Sequence, residues 1–150
     1  MTDFQRFVGV WELEGIEQRE ESEDFLEGGK RRPARGFERP MGLLVYLASG
    51  EMSVNFAGSS RIHFLREFSP TSSELAAAGA AYGGYAGRWE VDEVRHEVLH
   101  HVETAFVPNR IGRTIRRSYS FKEDLLILRP IALSPRETAP ERVLCWRKRA

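Results

Sequence analysis

The chain carries a single cysteine, Cys145, among 150 residues. Neither an internal disulfide nor a cysteine metal cluster can form, which agrees with a reducing compartment. It has no surplus of either charge, since 22 Lys and Arg balance 22 Asp and Glu. No global field therefore favours nucleic acid, an anionic membrane or an acidic partner. No 18-residue apolar run occurs, and the first residues set Asp3, Glu12 and Glu14 around Trp11 in place of a basic stub followed by an apolar stretch. The expectation is a cytoplasmic protein that uses neither nucleic acid nor membrane. No glycine-rich phosphate loop joins a strand to a helix, and no Gly-x-Ser-x-Gly elbow or Cys/His pairing is present, which disfavours nucleotide-dependent and covalent nucleophilic chemistry. His96 and His100 would lie roughly 13 Å apart along a strand, and adjacent His100 and His101 would point to opposite faces, so no chelating cluster results. No metal or other cofactor is expected.

What recurs is short apolar alternation bounded by turn residues, the period of a half-buried strand. A chain of 150 residues suits one domain, residues 1–150, able to bury about two thirds of its unfolded surface. About eight strand segments can be counted. The first, residues 7–20, puts Trp11, Leu13 and Gly15 on one face. The stretch 20–40 is acidic, then basic, and reads as a solvated loop or hairpin tip. Residues 43–47 and 52–56 form the clearest hairpin, with Gly50 placed for a tight reversal. If Leu47 opposes Met52, then Leu43, Val45, Leu47, Met52, Val54 and Phe56 share one face, and Leu44, Tyr46, Ser53 and Asn55 the other. Either could line an interior. Thr71 and Glu74 form a capping box ahead of an alanine-rich segment, predicting one short helix over residues 75–82 that Gly83 and Gly84 stop. Further strands follow at Trp89 and Val91 and over residues 94–106, 115–121, 125–129 and 142–147, with a proline-containing loop at 130–140. Sequential strands at short spacing favour an antiparallel up-and-down sheet closed on itself, because closure removes exposed edges.

The blocks Gly9-Val10-Trp11-Glu12-Leu13, Gly42-Leu43-Leu44-Val45-Tyr46, Gly50-Glu51-Met52-Ser53, Tyr85-Ala86-Gly87-Arg88-Trp89-Glu90-Val91, His100-His101-Val102-Glu103, Pro108-Asn109-Arg110-Ile111-Gly112 and Leu144-Cys145-Trp146 occur in this order. Together they resemble the stand-alone lipocalin-like domain family of bacteria and fungi. The resemblance implies a small antiparallel barrel with an internal cavity and, for some members, a tailoring role beside natural-product pathways. It also implies that Trp11 closes one end of the barrel under a basic residue of the last strand, Arg147 or Lys148. The chain departs from the family at Arg110, where an aromatic is usual, and at Ile115, where a glutamine-like polar residue is usual. The expected fold is thus a mainly β, lipocalin-like barrel of about eight strands with one short helix.

Strand parity aims His100 at the interior with Val98, Val102 and Phe106, and His101 at solvent. Arg117 shares the inward parity of Ile115, Tyr119 and Phe121. A buried guanidinium requires a partner: a carboxylate such as Glu90 or Glu103, a carbonyl cluster, or a ligand oxyanion. The candidate catalytic or orienting residues are therefore His100, Arg117 and Tyr46, with Ser53, Asn55, Tyr85, Trp89 and Tyr119 as further ligand-binding positions. Apolar walls with a few convergent polar groups suit a small, largely apolar ligand, aromatic or polyketide-like, bearing a carbonyl or phenol oxygen. One alternative is an isomerase, dehydratase or cyclase without cofactor, in which His100 moves protons. Another is a protein interaction module with a filled barrel and the 20–39 loop as its contact surface. A homodimer is compatible with each of these.

Overall fold

The computed structural model describes residues 1–19, 31–34, 36–131 and 142–150. Much of the charged 20–40 stretch and nearly all of the 130–140 loop lie outside the described residues. Among the described residues nine strands follow one another: β1 (Gly9–Arg19), β2 (Arg31–Pro33), β3 (Met41–Tyr46), β4 (Glu51–Ala57), β5 (Tyr82–Asp92), β6 (Glu97–Ala105), β7 (Thr114–Lys122), β8 (Leu125–Pro130) and β9 (Arg142–Lys148). Each neighbour pair is antiparallel, and β1 also pairs with β9, so eight strands close into an up-and-down barrel. β2 lies beside the far end of β1, extending the edge that β3 occupies at Gly9 to Glu12. The inward alternation of aliphatic and aromatic residues builds the core, with Trp11, Ile16, Leu44, Tyr46, Val98, Leu126 and Trp146 almost fully enclosed.

Two registers differ from the expected ones, and both change which side chains enter the barrel. The Leu47 N–H donates to the Glu51 carbonyl, so the β3–β4 reversal is made by three residues, Ala48, Ser49 and Gly50, with Gly50 at φ +104° and Tyr46 opposite Met52. A one-residue change in pairing inverts one strand's faces relative to the other. The inner set is consequently Leu44, Tyr46, Met52 and Val54, while Leu43, Ser53 and Asn55 face outward. In β1 the register shifts between Leu13 and Gly15. This bulge, with Glu14 as its extra residue, brings Ile16 inside instead of Gly15.

Helix α2 (Ser72–Ala80) has the expected Thr71–Glu74 capping box, although it ends before Tyr82, and Gly83 and Gly84 belong to β5. Their lack of a side chain serves strand contact: a Cβ on Gly83 would lie 2.6 Å from the Phe56 ring. A short N-terminal helix, α1 (Asp3–Phe7), was not expected. Thr2 and Gln5 cap it reciprocally, and it drives Phe7 into one end of the barrel, where the ring packs edge-on against Tyr46, Tyr119 and Phe121. The Trp11 Nε1–H donates to the Phe7 carbonyl at 2.8 Å. Lys148 supplies the basic cover, 4.6 Å from the Trp11 ring and donating to the carbonyls of Arg6 and Val8. Arg147 points outward to Glu14 and Asp124. Among the described residues, no helix is long and apolar enough to cross a membrane.

Phe7 is 0% exposed and Phe68, in the loop before α2, is 91% exposed. Phe7→Ala should therefore cost about 3–5 kcal/mol of unfolding free energy, and Phe68→Ala less than about 0.5 kcal/mol. Denaturant titrations of the two variants test that the plug is part of the cooperative core.

Candidate functional site

His100 stands on β6 with its ring 1% exposed, between two tyrosines. Its Nε2 lies 2.6 Å from the Tyr46 hydroxyl on β3, and its Nδ1 lies 2.7 Å from the Tyr85 hydroxyl on β5. The ring spans the interior and ties the adjacent strands β5 and β6 to β3, which pairs with neither. Burial, reinforced by the Arg117 cation, pushes the imidazole pKa down from 6.5 to about 3, so the ring is neutral at physiological pH. Burial also raises both phenols, Tyr46 well above its usual value, while Arg117 acts in the opposite sense on each. All three groups are therefore uncharged hydrogen-bonding elements.

Beside this chain lies an interior cavity of about 90 Å³. Its apolar wall includes Leu44, Val54, Phe56, Leu128, Leu144 and Trp146, and its polar wall is Tyr85, His100, Arg110, Arg117 and Arg142. Among the described residues, no Asp or Glu lines it. The acidic partners considered for Arg117 lie elsewhere: Glu90 pairs with His101 on the outer surface, and Glu103 is exposed. Among the described residues, two buried side-chain polar atoms have no hydrogen-bond partner, Arg142 Nε and Trp146 Nε1. Both are donors, and both residues line this cavity.

The structure thus brings together His100, Tyr46, Tyr85 and Arg117 from the expected set. It separates the others. Trp89 and Tyr119 belong to the plugged end: the Trp89 ring stacks on Phe4 at 4.6 Å, its indole N–H donates to the Leu47 carbonyl, and the Tyr119 hydroxyl donates to Asp3. Ser53 and Asn55 do not line the interior, because the three-residue loop turns them outward. Asn55 instead borders a larger depression of about 480 Å³ on the outside of β1, β3 and β4. That depression lacks the buried, unpartnered donors of the interior cavity.

Two site residues escaped sequence reasoning. Arg142 shares a two-residue period with Leu144 and Trp146, a signal that would have turned it inward. Arg110 sits in the 3-10 turn after β6, with its guanidinium 5.9 Å from the Tyr85 ring, and a turn residue has no periodicity to betray its direction. Among the described residues, no group of three or more His, Cys, Asp or Glu side chains is placed to hold a metal ion.

A closed eight-stranded antiparallel barrel with a small internal cavity defines a lipocalin-like protein. A model of the lipocalin-like domain family matches residues 8–149, and the chain belongs to that family. No curated protein and no solved structure matches it. A barrel of this family suits small-molecule binding in general and by itself names no ligand.

The depressed pKa of His100 has a consequence for stability. Above pH 6.5 the imidazole is neutral in both folded and unfolded chains and contributes no pH dependence. As pH falls from 6.5 toward 3, the unfolded chain takes up a proton that the folded chain refuses, and stability is lost. The expected slope is about 1.4 kcal/mol per pH unit, or roughly 3 kcal/mol between about pH 6.5 and 4.5. Denaturant titrations across this range should show the slope in the parent protein and its reduction in His100→Gln; equal slopes would refute a buried neutral imidazole.

Proposed function

We propose that the barrel binds a small, largely apolar molecule, aromatic or polyketide-like, whose carbonyl or phenol oxygen is held by Arg117 and the Tyr85 hydroxyl. The observation that carries this reading is the coincidence of an apolar cavity with unpartnered donors at its wall. Buried polar groups in folded proteins are almost always paired. Arg142 Nε and Trp146 Nε1, in two residues of the cavity wall, have no partner among the described residues. Hydrocarbon walls remove the body of such a ligand from water, and the donors fix its orientation. Tyr46 enters as a positioning residue, since its hydroxyl holds the imidazole that in turn holds Tyr85.

Proton-transfer catalysis through His100 gains less support from the same geometry. An imidazole with a pKa near 3 and both ring nitrogens engaged is a poor proton acceptor at neutral pH. The cavity also weighs against a completely filled barrel acting only as an interaction module.

Native mass spectrometry of the purified protein, followed by thermal-shift and tryptophan-fluorescence titration against aromatic ketones, phenols and acids, tests the reading. Trp146 provides an intrinsic reporter at the cavity wall. At least one compound should raise the melting temperature, and Tyr85→Phe should weaken it about 2- to 10-fold, the value of one hydrogen bond. Absence of both a co-purified ligand and any stabilising compound would overturn the proposal.

A further inference from the structure

The polar wall of the cavity consists mainly of hydrogen-bond donors, and its charge among the described residues has one sign. Arg110, Arg117 and Arg142 all line it. Among the described residues, none of the three has a carboxylate within salt-bridge distance, although Arg6, Arg88, Arg95, Arg116, Arg147 and Arg149 all do. All three are half-buried, and a partly desolvated cation needs a counter-charge more than a fully exposed one does. Six arginines outside the cavity are paired, exposed Arg61, Arg66 and Arg113 are not, and the three cavity arginines have no carboxylate partner among the described residues.

The hydrogen-bonded chain beside them has a fixed direction. Tyr46 is 0% exposed, and the only hydrogen bond its hydroxyl makes among the described residues is to His100 Nε2. Its proton must therefore go to Nε2, since any other orientation would bury it unpaired. A neutral imidazole has one proton, so Nε2 as acceptor makes Nδ1 the N–H that donates to the Tyr85 oxygen. Arg117, also a donor, stands beside the same oxygen. The Tyr85 proton is thereby left over, and the polar residues beside it are arginines, which cannot accept a hydrogen bond. Tyr85 is itself only 7% exposed. Arg142 Nε and Trp146 Nε1, buried atoms in two residues of the same wall, likewise have no acceptor among the described residues.

We infer that the cavity is an anion site whose ligand is a compact monocarboxylic acid, bound as the carboxylate by the arginines and the Tyr85 hydroxyl, with its apolar body against Leu44, Leu128 and Trp146. The inference rests on reading the interior as a ligand cavity and narrows the ligand to an acid. A neutral ketone or phenol would accept one or two hydrogen bonds and leave the partly desolvated positive charge uncompensated. A carboxylate accepts about four hydrogen bonds and matches the planar fork of a guanidinium. Size sets the other limit. The cavity of about 90 Å³ compares with about 30 Å³ for one water in the liquid, so the enclosed part of the ligand is a carboxylate with a short chain or a single ring. An inorganic anion would meet the arginines and waste the hydrocarbon wall.

Matched probes separate these possibilities. The full chain is titrated calorimetrically with benzoate, butyrate, benzamide, butyramide and inorganic phosphate at fixed pH and ionic strength. The expected result is binding of benzoate or butyrate at least tenfold tighter than the corresponding amide and than phosphate, with a further loss of tenfold or more in Arg117→Met. Should Arg117→Met fail to fold, Tyr85→Phe takes its place with an expected loss of 2- to 10-fold, and the acid-to-amide ratio in the parent protein remains decisive. Amides that bind as tightly as the acids would overturn the anion assignment while leaving small-molecule binding intact. Phosphate binding as tightly as benzoate would overturn the carboxylate assignment. No binding by any probe, or by the neutral ketones and phenols, would overturn this inference and the wider reading together.

Discussion

Pairing of β1 with β9 is the constraint on which the rest of this structure depends. Seven residue pairs, from Trp11 with Lys148 to Gln18 with Arg142, join the two strands. This seam leaves neither strand with a free edge at those positions and converts a sheet into an enclosure. Once the sheet is closed, its inner face is withdrawn from water on every side. The low pKa of His100, the raised pKa values of Tyr46 and Tyr85 and the cost of an unpartnered guanidinium all follow from that withdrawal. An open sheet with the same side chains would leave them hydrated, with ordinary acid–base behaviour.

The interior so formed is chemically polarised along its length. One end is closed by aromatic packing: Phe7 from α1 meets Tyr119 and Phe121, Phe4 covers Trp89, and Lys148 seals Trp11. Polar atoms there are satisfied by backbone carbonyls or by Asp3. Toward the other end the polar side chains are arginines and a tyrosine, and Arg142 Nε there lacks an acceptor among the described residues. The Tyr46–His100–Tyr85 chain lies between these regions. It links the rigid plug to the cavity and gives Tyr85 a defined orientation without carrying charge of its own.

Much of the architecture was legible because strand alternation and turn chemistry are local. The β3–β4 hairpin, the capping box of α2 and the inward parity of His100 and Arg117 follow from residues close in sequence. Reading stopped where one residue of register mattered. A loop of three residues in place of four put Ser53 and Asn55 outside, and the bulge after Leu13 exchanged Gly15 for Ile16. Neither event changes composition or period enough to be seen along the chain. The α1 capping box was present in Thr2 and Gln5, but a helix of one turn has no hydrophobic period to distinguish it from the start of a strand. Its stability comes from burying Phe7, which is a tertiary contact.

The chain by itself determined that strands would form, roughly where they would turn, and that His100 and Arg117 would point inward, because those properties depend on neighbours two to four residues away. Only the tertiary structure decided which face of β3 and β4 became the interior, that Arg110 and Arg142 would join Arg117, and that Trp146 would present an indole N–H with nothing to bond among the described residues. These are properties of an enclosed volume. They arise from side chains brought together across the barrel from β5, β6, β7, β9 and the turn after β6, and charge balance within such a volume is fixed by which residues share it and not by the even charge of the whole chain.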